Sequence, residues 1–131
     1  MRVLVCGGRN FDDHERLYAV LDFVAREAED ALDPIDTLIH GEASGADHLA
    51  ACWATSHKLK VEGYRADWHN LGAAAGPIRN AKMLTEGKPD LVIAFPGGRG
   101  TADMVRRAKA AGIPTKEMVA KPAPSSGKEG P

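Results

Sequence analysis

The run Leu91-Val92-Ile93-Ala94-Phe95 is apolar without interruption and ends in Pro96-Gly97-Gly98-Arg99-Gly100-Thr101. An apolar run with no polar alternation reads as a strand buried on both faces, which belongs in a parallel sheet covered by helices. From Thr101 onward the apolar positions Met104, Val105, Ala108 and Ala111 take helical spacing, so the stretch predicts a strand, a turn and a helix N-terminus. Glycines at 97, 98 and 100 permit positive φ and leave no Cβ between backbone and ligand. The first N–H groups of the following helix favour an anion. The turn is therefore a candidate phosphate or carboxylate site. Arg99 would add charge, and Thr101 would supply either a hydroxyl to the ligand or a cap to the helix.

The same unit recurs along the chain. Arg2 to Cys6 reads as a strand, followed by Gly7-Gly8-Arg9-Asn10-Phe11 and by Asp12 or Asp13 as the cap of a helix. Leu17, Val20, Leu21, Val24 and Ala28 give that helix its buried stripe. Pro34 follows its end, and Thr37 to His40 is a second strand leading into Gly41-Glu42-Ala43-Ser44-Gly45. Ala46, Leu49, Ala50, Trp53 and Ala54 mark a second helix, with Trp53 in the core or at a subunit interface, and Lys60 to Tyr64 a third strand. A long connection, Arg65 to Gly76, precedes Pro77, which is placed at the first position of the next helix. Within it Gly72 to Gly76 has two readings, a loop lying close to a ligand or an upstream extension of that helix. Ile113 to Val119 is a fifth strand with Pro114 at its start.

Five strands alternating with four helices imply an α/β fold, a doubly wound parallel sheet in the order 3-2-1-4-5 with helices on both faces. In such a sheet every loop from a strand to a helix lies on the carboxyl edge, and ligands bind where the strand order reverses, between the first and fourth strands. The turns at 7–11, 41–45 and 97–101, with the 65–80 connection, are expected around one crevice. At 131 residues the chain is long enough for one domain, placed at 1–119. Residues 120–131 are rich in Pro, Ser, Gly and Lys and are expected to form a disordered tail.

Seventeen Lys and Arg against 18 Asp and Glu give a formal charge of -1, which argues against nucleic-acid binding by bulk electrostatics. Cys6 and Cys52 have neither disulfide nor zinc spacing, and no metal is expected; the best-placed histidine, His40 at a strand end, is read as packed and hydrogen-bonded. No apolar run approaches membrane-spanning length and no signal pattern is evident, so a reducing cytoplasmic location is expected.

Five ordered stretches carry a family resemblance: Val5 to Phe11, His40 to Asp47, Ala66-Asp67-Trp68, Ala75 to Asn80 and Phe95 to Thr101. Over roughly residues 1 to 115 the chain resembles the SLOG superfamily of Rossmann-like nucleotide-binding proteins, which includes the LOG phosphoribohydrolases. It is most similar to the small YspA-type, YpsA-related members. The resemblance implies a nucleotide or ADP-ribose-like ligand with its phosphate at Pro96 to Thr101, no required cofactor, and a homodimer. It also implies a catalytic glutamate three residues after the threonine of the turn, where this chain has Met104.

The remaining candidates each have two readings. Glu42, Asp47 and Asp103 are tentative acids or bases, although Asp47 also fits a helix N-terminal acid and Asp103 lies about 100° around the helix from position 104. Arg9 and Arg79 either grip phosphate or pair with Asp12, Asp13 or Asp67. Asn80 bonds a ribose, a base edge or loop carbonyls; Trp68 stacks on a base or covers the core. Gly7, Gly8, Asn10, Gly41, Ser44 and Gly45 complete the expected ligand contacts. Binding or sensing of a nucleotide derivative ranks first, N-glycosidic hydrolysis second and DNA binding last.

Overall fold

A computed structural model describes residues 1–120; the expected tail therefore falls outside the described residues from position 121 onward. The order of elements is β1 (Arg2–Cys6), α1 (His14–Asp30), β2 (Thr37–His40), α2 (Ala46–Ser56), β3 (Lys60–Gly63), α3 (Trp68–Leu71), α4 (Ala75–Thr85), β4 (Leu91–Ala94), α5 (Arg99–Ala110) and β5 (Thr115–Glu117). The five strands make one parallel sheet in the order β3-β2-β1-β4-β5. This is the Rossmann-like architecture read from the sequence.

Strand pleating sends alternate side chains of β1 into two cores. Val3 and Val5 pack with Leu17, Leu21 and Val24 of α1 and Ala50 and Trp53 of α2, while Leu4 and Cys6 pack with Met83 of α4 and Met104 and Ala108 of α5. The helices thus cover both faces, and β1 and β4 are buried on each side. Because Cys6 stands opposite Ala94 in the register, the loops after β1 and β4 leave the sheet side by side. Asp13 starts α1 by accepting the N–H of Arg16 at 3.1 Å.

Two expectations need correction. The helix expected to open at Pro77 begins at Ala75, preceded by the short helix α3 and a 3-10 turn at Gly72–Ala74. Alanine favours helix strongly enough to extend it upstream, and Gly76 is kept small because a Cβ there would lie 3.1 Å from the Trp68 ring. The fifth strand is shorter than foreseen, three residues beginning after Pro114, whose carbonyl accepts from Val92 at 2.9 Å. Of the two readings of Trp53 the structure shows the core one: the side chain is 1% exposed, and its indole N–H donates to Asp22 at 2.9 Å.

Truncating the largest buried side chain should leave a cavity between α1, α2 and the sheet. Trp53→Ala is expected to lower unfolding free energy by about 3–5 kcal/mol in urea titration; a loss below about 1 kcal/mol would place the indole outside the core.

Candidate functional site

The turn after β4 meets the loop after β1 directly. The Gly8 N–H donates to the Pro96 carbonyl at 2.9 Å, and a Cβ on Gly97 would lie 2.3 Å from Thr101 Oγ1 and 2.6 Å from the Gly8 nitrogen. Gly97 is thus required by close approach. None of the glycines at 97, 98 and 100 has positive φ, contrary to expectation; the positive-φ glycines among the described residues are Gly45, Gly72 and Gly112. A Cβ at Gly98 or Gly100 would meet nothing within 4 Å, so both open toward free space.

The helix α5 starts at Arg99 with Gly98 as N-cap and no capping side chain, which makes Thr101 its third residue and rules out the cap reading. The first intrahelical bond runs from Ala102 to the Gly98 carbonyl at 3.1 Å, leaving the N–H groups of Arg99, Gly100 and Thr101 without helical partners. A cleft of about 400 Å³ extends from this turn along α5 to β5, with Arg106, Lys109 and Glu117 on its walls. Arg99 and Asn10 are exposed beyond it.

The loop after β2 is fastened onto the loop after β1. Gly45 has φ +73°, and a Cβ on it would come 2.2 Å from the Gly8 carbonyl oxygen, so glycine is needed for conformation and for contact alike. Ser44 Oγ donates to the Arg9 carbonyl at 3.1 Å, and the Ala46 N–H to the Gly8 carbonyl at 3.2 Å. A Cβ on Gly7 would meet that of Ala46 at 2.6 Å. Asp47 Oδ2 accepts from the Gly41 and Ala43 N–H groups at 2.9 and 3.2 Å. Burial pushes the Asp47 carboxyl up to about 6 against the opposing pull of those bonds and of Arg79. Its neighbour Glu42, at φ +58°, donates its N–H to His40 Nδ1 at 3.0 Å. That bond fixes an unprotonated Nδ1, and burial lowers the His40 pKa, as befits a packed, neutral ring.

Adjacent residues of α4 hold the two sides together. Arg79 Nη1 donates to the Gly41 carbonyl and Nε to Asn80 Oδ1 at 3.0 Å, while Asn80 Nδ2 donates to the Gly100 carbonyl at 3.1 Å and to Asp103 Oδ2 at 3.0 Å. Asn80 is 3% exposed, and its amide is engaged by the Gly100 carbonyl in the first turn of α5 and by Asp103. Asp103 also receives Arg107 Nε at 2.9 Å and a bond from Arg106. Burial works to raise its pKa, but the bonds from Asn80 and Arg107 and the arginine charges hold it below the usual carboxylate range. It joins α4 to α5.

A second cleft, of about 380 Å³, opens between the loops after β1, β2 and β3. Arg9, Arg65 and Arg79 line it with Trp68 and the Gly41–Ser44 turn. Arg9 stands 5.9 Å over the Trp68 ring. Neither Arg9 nor Arg79 forms an ion pair among the described residues; instead Arg65 pairs with Glu42 at 3.3 Å. Of the residues expected in the site, Gly41, Glu42, Ser44, Trp68, Arg9 and Arg79 gather here, whereas Pro96, Gly97, Gly98 and Thr101 line the first cleft. Asp47 and Asp103 line neither. Arg65 was not foreseen; its position directly after β3 was the available signal.

A doubly wound parallel sheet with glycine turns knitted together at its switch point defines a Rossmann-like α/β protein with its candidate site on the carboxyl edge. Residues 1–70 match the model of YAcAr, the YspA, cpYpsA-related SLOG family. The chain is also 35% identical over 130 residues to the Gene 61 protein of Mycobacterium phage D29, covering 92% of this chain and 98% of the phage protein. It belongs to the YspA, cpYpsA-related SLOG family. No helix among the described residues is long and apolar enough to cross a membrane.

The Asp47 carboxyl has a folded pKa above its ordinary value, so folding takes up a proton between about pH 4 and 6 and stability falls as pH rises through that window. Asp47→Asn, which keeps an oxygen acceptor, is expected to flatten this arm in thermal melts from pH 4 to 8. Asp47→Ala loses both loop bonds and should cost about 1–3 kcal/mol. An Asn variant with an unchanged slope would reject Asp47 as the titrating group.

Proposed function

We propose that this protein binds a nucleotide or nucleotide-derived small molecule on the carboxyl edge of its sheet, with a phosphate at the turn Pro96 to Thr101 and without LOG-type cleavage. The observation that carries the reading is the junction of three glycine turns beside a helix whose first N–H groups are uncapped. Gly8 touches Pro96 and Ala46 through backbone bonds, and Gly98 and Gly100 face open space next to those donors. Membership of the SLOG family supports a nucleotide-related ligand. Phosphate oxygens satisfy helix N-terminal donors and complement the positive end of the helix dipole.

Binding is preferred to hydrolysis because of position 104. Met104 is fully buried among Leu4, Cys6, Val92 and Ala94, so no carboxylate stands where the resemblance places the catalytic glutamate. N-glycosidic cleavage needs an anion and an activated water beside an oxocarbenium-like centre. Of the other candidates, Asp47 and Asp103 are engaged by backbone and arginine donors, which leaves Glu42 at the rim of the second cleft.

One-dimensional proton NMR with AMP, ADP, ADP-ribose and NAD, followed over hours, tests both halves of the proposal. Selective broadening of ligand signals without new base or ribose peaks is the expected result. Steady release of free base would overturn the binding-only reading, and unbroadened spectra throughout would overturn the nucleotide reading. Gly98→Val should abolish the broadening while the melting temperature shifts by no more than a few degrees, because its side chain enters the space the phosphate needs.

A further inference from the structure

The first cleft accounts for one phosphate, yet the strongest concentration of positive charge lies in the other. Three guanidiniums, of Arg9, Arg65 and Arg79, line a cleft whose wall carries one carboxylate, that of Glu42. Arg79 is held in place by the Gly41 carbonyl and Asn80, and its Nη2 has no partner among the described residues. Burial lowers the Arg79 pKa, the Asp47 charge opposes this, and the neighbouring Arg9 charge lowers it again. Arg9 and Arg79 thus line one cleft, with no carboxylate bridging them among the described residues. Such an arrangement is relieved by an anion that accepts from both, and guanidinium forks match phosphoryl oxygens.

Topology keeps this cleft apart from the first. The second cleft is built from loops after β1, β2 and β3, and the first from β4, α5 and β5; the contact between Gly8 and Pro96 lies where the two halves meet. Trp68, 49% exposed, contributes an aromatic face beside the arginines.

We propose that the cleft of Arg9, Arg65, Arg79 and Trp68 is a second anion subsite that takes a phosphoryl group separate from the one at α5. It rests on the nucleotide reading for the identity of the ligand alone, which becomes a nucleotide carrying more than one phosphoryl group. Arg65 exchanges its exposed pairing with Glu42 for the ligand, a modest loss for a surface ion pair. Arg9 donates from above the Trp68 ring.

The test uses inorganic pyrophosphate and the intrinsic fluorescence of the protein. Trp53 is buried and Trp68 is the exposed tryptophan of the cleft, so a change of emission reports this subsite, and Trp68→Phe should remove it. Pyrophosphate is expected to give a saturable change, beyond that of sodium chloride at matched ionic strength. Arg9→Ala and Arg65→Ala, both at exposed positions, should each weaken it by about tenfold or more while circular dichroism stays unchanged. No saturable change, or one equally strong in both arginine variants, overturns the subsite. AMP titrations followed by NMR separate the two proposals: AMP binding with no pyrophosphate response rejects the subsite alone. A pyrophosphate response with unbroadened spectra for AMP, ADP, ADP-ribose and NAD alike keeps the subsite and rejects the nucleotide reading.

Discussion

The carboxyl edge depends on one clasp. Arg79 and Asn80, adjacent on α4, reach in two directions, the first to the carbonyl of Gly41 after β2 and the second to that of Gly100 in the first turn of α5. Those loops belong to strands on opposite sides of β1. Gly41 is buried and its carbonyl would be costly to leave without a partner, and the Asn80 bond to Gly100 ties the start of α5 to α4, so the two side chains give both segments a defined position. The clasp also explains why glycine is needed at 41, where a Cβ would lie 2.6 Å from the Arg79 guanidinium. Removing either side chain would loosen both halves of the edge.

Charge is distributed along that edge unevenly, in a way the formal charge of -1 conceals. Asp103 pairs with both Arg106 and Arg107 on α5, Glu62 takes Arg2 at the opposite end of the sheet, and Glu117 takes Lys109. Asp47, the acid nearest Arg79, is buried and turned to the backbone of its own loop. Arg9 and Arg79 of the second cleft are therefore left without an ion pair among the described residues, while Arg65 pairs with Glu42 on the same wall. Whole-chain charge speaks to solubility and bulk attraction, whereas a site is governed by pairings within a few ångströms.

Much of this was legible before any coordinates. Strand order follows from alternating elements and the handedness of crossovers, and a cap at Asp12 or Asp13 follows from their place before an apolar stripe, with the structure choosing Asp13. The turn edge was legible for the same reason, since parallel connections leave no other end for those loops. What escaped depended on contacts between distant residues. The glycines at 97, 98 and 100 suggested positive φ, but Gly97 is there because Gly8 and Thr101 press against it, 89 positions and four positions away. Arg65 carried no motif, and its value arises only where Arg9 and Arg79 converge on it from other loops. The run Gly72 to Gly76 could not choose between loop and helix from composition, because the deciding partner, Trp68, packs onto Gly76 only after the chain has turned.

The same contacts bear on whether such an edge favours binding or chemistry. A general base must be free to take a proton, and its pKa should lie near the working pH. Asp47 meets the second condition with a pKa of about 6, but its Oδ2 already accepts two backbone N–H groups. Moving it to reach a substrate would release the turn that positions Arg79 and the second cleft. Asp103 is worse placed, since its pKa is held low and its loss would remove one of the bonds from α4 to α5. The acids that fold the edge are thus tied to keeping it rigid, and the groups left free are guanidiniums and backbone donors. Those groups are donors suited to an anion and supply no base, which supports the proposed recognition, with Glu42 as the one carboxylate on the wall of the second cleft.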